Sequence, residues 1–137
     1  NVVKCRPPGN RDPLPDEILI CGETYLGVQI ELLNPKIIIT LGRFSLARFL
    51  PNVTISRVHG KPHRIGNRLI YPMLHPAAAL RRPEWREAFI EDARRLPDVL
   101  AEFKKGLLQA DVPAEPETKT PASNVESPDD LAQLSLF

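Results

Sequence analysis

Cys5 and Cys21 are the two cysteines of the 137-residue chain, and they bracket a loop that carries Asn10 and the prolines Pro7, Pro8, Pro13 and Pro15. Lys4, Arg6 and Arg11 lie around the first of them. Cysteine sulfur is a soft metal ligand. A stiff basic loop with a thiol at each end therefore suits a bound metal centre, against the plainer alternative of two unrelated buried thiols. His59 and His63 complete a Cys-x15-Cys and His-x3-His pattern. Zinc knuckles space their cysteines by roughly two to four residues, so zinc is the weaker reading. The third histidine, His75, ends the apolar run 68–74 and is followed by Pro76 and a loop that closes on Arg81 and Arg82. In α/β proteins ligands collect beyond the carboxyl ends of strands, which makes His75 a candidate for chemistry; its alternative is a structural histidine with its hydrogen bonds met.

These side chains need a scaffold, and composition bounds it. With 42% hydrophobic and 26% charged residues, the chain fits one small globular domain with a modest core. It has no apolar run long enough to span a membrane and no signal-peptide pattern in its first residues. A cytoplasmic protein is expected, in a compartment where cysteines bind metal or do chemistry more often than they pair. Charge is divided: residues 1–105 hold 17 Lys and Arg against 11 Asp and Glu, whereas residues 106–137 hold one Lys against six acids. A basic body is the footprint of a protein that meets phosphate backbones, although such a balance is also ordinary for a soluble domain.

The paired valines at residues 1–4 suit a short strand, and because the chain opens inside it, the N-terminal part of the domain is expected to lie upstream. Pro15 with Asp16 and Glu17 starts a helix, since proline suits the first turn and acids suit the positive end of the dipole. Ile18, Leu19, Tyr25, Leu26, Ile30 and Leu33 form its apolar face, Cys21 is held one turn in, and Asn34-Pro35 stops it. The unbroken aliphatic run 36–41 predicts a strand buried on both faces, as in parallel sheets. Gly42 then turns into a short helix over 43–50, whose first amides beside Arg43 suit a phosphate, although a purely structural turn is the commoner use. Residues 54–58 and 68–74 predict two more strands, joined through Gly60, Pro62, Gly66 and Asn67. Apolar spacing from Pro83 to Phe103 predicts a long amphipathic helix over one sheet face, with a kink or break at Pro97. Together these predict an α/β fold, a three-layer α/β/α arrangement around a mainly parallel sheet.

Five stretches taken together resemble one known family. They are Asn1-Val-Val-Lys-Cys5-Arg-Pro-Pro-Gly-Asn10-Arg11, the Cys5-x15-Cys21 spacing, Ile38-Ile-Thr-Leu-Gly42, Val53-Thr-Ile-Ser-Arg57, and His75-Pro-Ala with Leu80-Arg81. The chain resembles family 4 uracil-DNA glycosylases, the iron-sulfur branch of that superfamily. The likeness covers roughly residues 1–105 in order and spacing, and its opening eleven residues are the most specific part. It corresponds to the second half of such an enzyme.

The resemblance implies roles residue by residue. Cys5 and Cys21 are similar to two of the four thiolates that hold a structural 4Fe-4S cluster, the others being expected from a Cys-x2-Cys outside these residues. Asn1 matches the asparagine that reads the polar edge of a flipped uracil, and Asn10 a second asparagine near the pocket. His75 matches the histidine that donates to uracil O2, while Leu80 and Arg81 match the loop that enters the duplex and contacts the strand; Arg43, from its place at the start of the short helix, is a further candidate for a DNA contact. The chemistry fits: cleaving the N-glycosidic bond leaves negative charge on the uracil, and a donor aimed at O2 stabilises it most in the transition state. Family members often carry an aromatic and a leucine where this chain has Ala78 and Ala79, so the wedge is reduced to Leu80. The family's first motif, with its acidic water-positioning residue and its stacking aromatic, is not in these residues. The 137 residues alone are therefore expected neither to bind a complete cluster nor to excise uracil.

Residues 106–132 read as a disordered acidic tether, being rich in Pro, Glu, Ser and Thr without apolar periodicity. The last five, Gln133, Leu134, Ser135, Leu136 and Phe137, resemble the pentapeptide by which bacterial repair proteins dock on the β sliding clamp; the alternative is a frayed end. Two functional classes follow. One is a monomeric uracil-excising repair enzyme recruited by its tail, the other a non-catalytic iron-sulfur relative that binds nucleic acid within a replication or repair complex.

Overall fold

The computed structural model describes residues 1–106, so the tether and the terminal peptide 133–137 lie, from residue 107 onward, outside the described residues. The strand expected at residues 1–4 does not form, and the first regular element is a 3₁₀ turn at Pro8–Asn10. Valine supplies strand propensity, but a strand needs a ladder partner, and residues 1–4 pair with none among the described residues.

Helix α1 (Pro15–Cys21), a π-helical stretch (Gly22–Gly27) and α2 (Val28–Leu33) follow one another as a single rod. The rod starts as expected: Pro15 occupies the first turn, and the Glu17 carboxylate accepts from the Leu14 N–H at 2.8 Å, meeting a donor that every helix start leaves open. Asn34 ends it in the left-handed conformation, φ 42°, just before Pro35. Ile18, Leu26 and Ile30 are half-buried, but Leu19, Tyr25 and Leu33 of the expected apolar face are half or more exposed, as are Ile20 and Leu32. The wider π turn rotates the residues after it, so apolar positions at helical spacing no longer fall on one stripe.

Three strands form the sheet in the order β1-β3-β2, with β1 (Ile37–Leu41), β2 (His63–Ile65) and β3 (Arg68–Met73). β1 runs parallel to β3 with Leu41 opposite Met73, and β2 runs antiparallel to β3 with Ile65 opposite Arg68 across a two-residue turn at 66–67. The sheet is therefore mixed, with the expected parallel pair and one antiparallel edge. Burial on both faces holds for β3, where Leu69, Ile70, Tyr71 and Pro72 are almost fully buried. It does not hold for β1. Ile39 and Leu41 are each 41% exposed, because β1 has a neighbour on one side only among the described residues.

Residues 54–58 are a second correction. Instead of a strand they make α4 (Ile55–Val58), following α3 (Arg43–Ala47). Ile55 and Val58, three apart, point the same way on a helical turn and both enter the core beside Leu46, Leu50 and Leu74. Packing thus overrides β-branched propensity. The long helix α6 (Pro83–Lys104) forms as expected, but it runs through Pro97 without breaking. Proline removes one backbone bond; Leu96 and Val99 on either side of it pack against Leu69, Tyr71 and Met73, which holds the helix to the sheet. Burying a side chain of this size stabilises by about 1.5–3 kcal/mol.

Candidate active site and cysteine loop

β3 ends at Met73, and the two carbonyls before its exit are held by neighbours on either side. Pro72 accepts from the Gly60 N–H at 2.9 Å, and Met73 from the Gly42 N–H at 2.9 Å. Leu74 is buried, and His75 follows as the N-cap of the short helix α5 (Pro76–Ala79). Its Nδ1 accepts from the Ala77 N–H at 3.2 Å. An acceptor nitrogen carries no proton, so the neutral ring has its hydrogen on Nε2. Burial lowers the His75 pKa below the ordinary 6.5, which favours that neutral form. The result is an imidazole of defined tautomer at the strand end.

Ala78 and Ala79 are buried, and α5 packs on α6. Small side chains let the two helices approach, which accounts for alanine at both positions. Leu80, next in sequence, is 83% exposed. A lone apolar side chain projecting from the loop that bears His75, with exposed Arg81 beside it, is an arrangement that can enter a base stack.

The cysteine loop is braced at two places. Arg11 donates two hydrogen bonds to Glu17, at 2.8 and 2.7 Å, and Arg43 of α3 pairs with Asp12 at 2.6 Å while stacking on Phe44. Arg43 thus ties α3 to the cysteine loop, a task its sequence position did not disclose. Asn10 takes φ 56° and its side-chain oxygen accepts from Arg6 Nε, so it braces the turn after Cys5. Cys5 is exposed, and Cys21, at the end of α1 where the π stretch begins, is partly exposed; both thiols are free. Among the described residues no three His, Cys, Asp or Glu side chains are grouped to hold a metal ion. The donor set fits half of a thiolate-held centre, since two accessible thiols on a braced basic loop leave further ligands to come from elsewhere.

The Arg11 hydrogen bonds, with the Leu14 amide, hold the Glu17 carboxyl down to about 2 from its ordinary 4.5. The folded state then binds its proton later than the unfolded chain, so this brace contributes fully above pH 4.5 and is lost as pH falls through about 2. Titration followed by the Glu17 side-chain carbon signal should show a midpoint near 2, moving back toward 4.5 in Arg11→Gln. A midpoint unchanged by that substitution would remove Arg11 from the brace.

Parallel register brings the pieces to one edge. Leu41 lies opposite Met73, so Gly42 with Arg43 and Leu74 with His75 leave the sheet at the same end, and through Asp12 the cysteine loop is anchored there too. Asn1 sits exposed in irregular chain. A family model described as the uracil DNA glycosylase superfamily matches residues 1–95, a span that takes in the strand-end histidine and both cysteines. The chain belongs to that superfamily. It is 42% identical over 109 residues to a Type-4 uracil-DNA glycosylase of Archaeoglobus fulgidus, covering 72% of this chain and 54% of the relative. To the Type-4 enzyme of Saccharolobus solfataricus it is 44% identical over 110 residues, covering 74% and 50%. It is also 40% identical over 101 residues to a DNA polymerase of Bacillus phage SP01, covering 73% of this chain and 11% of that protein. This superfamily member spans about half the length of the curated glycosylases it matches.

Sequence reasoning missed Asp12 and Glu17. In sequence Glu17 reads only as helix-start chemistry and Asp12 carries no role, although the acids at 12, 16 and 17 beside Arg11 are the signal for a charged brace. No described helix is long and apolar enough to cross a membrane.

Proposed function

We propose that the chain carries the strand-end histidine, the cysteine loop and the wedge loop of a uracil-DNA glycosylase, which hydrolyses the bond between uracil and deoxyribose in base excision repair. The observation that carries this reading is His75, held at the sheet edge by its Nδ1 bond to Ala77 with its proton on Nε2. As the glycosidic bond breaks, charge develops on the uracil ring, and Nε2–H donates to O2 most strongly in the transition state. The carboxamide of Asn1 accepts from uracil N3–H and donates to O4, where cytosine presents the opposite pattern, and Asn10 supports the pocket. Leu80 fills the space that the flipped base vacates and Arg81 faces the phosphates, while Arg43, paired with Asp12, contributes to the DNA-facing end by holding the cysteine loop there. Water adds to the sugar carbon as uracil leaves. Polypeptide outside the 137 residues supplies the acidic group that positions this water and the aromatic that stacks on the base. The exposed Ile39 and Leu41 on β1, and Leu32 and Leu33 on α2, support this by offering that polypeptide an apolar surface.

Cys5 and Cys21 supply two of four thiolates for a 4Fe-4S cluster. When bound, the cluster ties the loop to the rest of the domain. The enzyme acts as a cytoplasmic monomer, with 1–105 as the catalytic part, 106–132 as a tether and residues 133–137 docking on the β sliding clamp. A second reading rests on the phage DNA polymerase likeness: the domain serves a polymerase complex as a nucleic-acid-binding module and leaves uracil in place.

One fusion decides between them. The portion of the Archaeoglobus fulgidus relative that this chain does not match is joined to residues 1–137, and release of uracil from a single-uracil oligonucleotide is measured. Excision and iron-sulfur absorbance are expected from the fusion and neither from the 137 residues alone. Deleting residues 133–137 should abolish retention on immobilised clamp with excision unchanged. A fusion that folds and takes up iron yet spares uracil supports the polymerase-module reading.

A further inference from the structure

Asp92 is the buried acid of the described residues, 4% exposed, and the chemistry above makes no use of it. Its Oδ2 meets His59 Nδ1 at 2.8 Å, and its backbone carbonyl accepts from the Tyr71 hydroxyl at 2.8 Å. Its other carboxylate oxygen lies against the backbone of Gly60, where an added Cβ would come within 2.0 Å of it, and Gly60 takes φ +68°. The Gly60 N–H in turn donates to Pro72. One acid on α6 thus gathers the loop after α4 and the last turns of β3, three to four residues before His75.

We propose that the His59–Asp92 pair is a positioning device for His75, locking the exit of β3 so that the imidazole leaves the sheet in one orientation. His59 does not touch substrate in this role; it acts through Asp92, Gly60 and Tyr71. Every residue from 71 to 74 has a partner: Tyr71 on Asp92, Pro72 on Gly60, Met73 on Gly42, and Leu74 in the core. Two of those four anchors pass through Asp92 or the glycine seated on it. A buried carboxylate deprived of its donor must find another or move, which disturbs Gly60 against its other oxygen directly and Tyr71 through the main chain of Asp92. The value of the lock rests on the proposed role of His75, but its test needs no uracil.

Amide hydrogen exchange on the 137-residue chain reads the lock directly. In His59→Ala the amides of Ala78, Ala79 and Leu80, which bond back to His75 and Pro76, should exchange about tenfold faster, the equivalent of one hydrogen bond to a charged group. The Ile18 amide in α1 should be unchanged. The ring nitrogen signals of His75 should shift from one tautomer to a mixture. His59→Asn, whose side-chain nitrogen sits where Nδ1 does, should restore both. Tyr71→Phe, which keeps the ring and removes only the bond to Asp92, should reproduce the effect in weaker form. Equal acceleration at Ile18 and at residues 78–80, no acceleration, or failure of His59→Asn to restore the signals overturns the proposal. Loss of the glycosylase reading would leave all of these measurements standing.

Discussion

Replacing His75 with alanine in the uracil-excising fusion is expected to lower kcat by about 10²–10³-fold with little change in KM, the usual cost of one preorganised donor to a developing oxyanion. The split is the informative part. A donor that strengthens only in the transition state affects kcat, whereas one that merely holds the base raises KM. His75→Gln, which keeps an N–H donor on a flexible chain, should recover part of the loss. The pH profile follows from the same residue. Burial lowers the His75 pKa from 6.5, so the neutral donor predominates at and above pH 6.5, and protonation sets in only below it. The kcat contribution of His75 should therefore be flat from neutral pH upward, and its stability contribution should likewise be complete above 6.5 and decline as pH falls. Activity that climbs on acidification would make the imidazolium the working species and refute the assignment of the Nε2 proton to a neutral ring.

Gly60→Ala is expected to destabilise the domain strongly. A residue with a side chain held at φ +68° costs about 1–3 kcal/mol in strain. The added carbon would also lie 2.0 Å from the Asp92 carboxylate, and overpacking of a tight site costs about 1–3 kcal/mol more. The sum is a large share of a small domain's stability, equivalent to a fall in Tm on the order of 10–20 °C. Gly66 supplies the control. It shares a positive φ, +59°, but nothing lies within 4 Å of the position an added Cβ would take, so Gly66→Ala should cost only the backbone strain. In an Asp92→Ala background the Gly60→Ala penalty should shrink toward the Gly66 value, because the clashing oxygen is gone. Equal Tm losses for the two glycines in the parent chain would show that contact with Asp92 contributes nothing.

Much of the domain could be read from residue types in order. Pro15 with Asp16 and Glu17 announced a helix start, the run 68–74 announced a buried strand, and the spacing of Trp85, Phe89, Leu96, Val99 and Phe103 announced the long helix. Each is a local signal, settled by propensity, capping or period, and each forms where expected. The failures share a cause. Residues 54–58 have strand propensity, but Ile55 and Val58 gain more by burial on one helical turn against Leu46, Leu50 and Leu74, partners whose proximity is not encoded locally. The run 36–41 has the composition of a central strand, while the covering of its faces depends on neighbours that the strand itself does not specify.

The same division runs through the site. Residue order alone sufficed to raise Cys5, Cys21 and His75 as candidates, because thiol spacing and a histidine after an apolar run are patterns along the chain, whereas Leu80 came only with the family resemblance. Three-dimensional packing decided what holds them. The bonds of Arg11 to Glu17, Arg43 to Asp12, and His59 to Asp92 join residues 6, 31 and 33 positions apart. Two of these separations exceed any helical or strand period, so no local rule pairs them. They form because the folded chain sets Arg43 of α3 beside the cysteine loop and His59 beside the buried Asp92 carboxyl of α6, a proximity that tertiary packing alone provides.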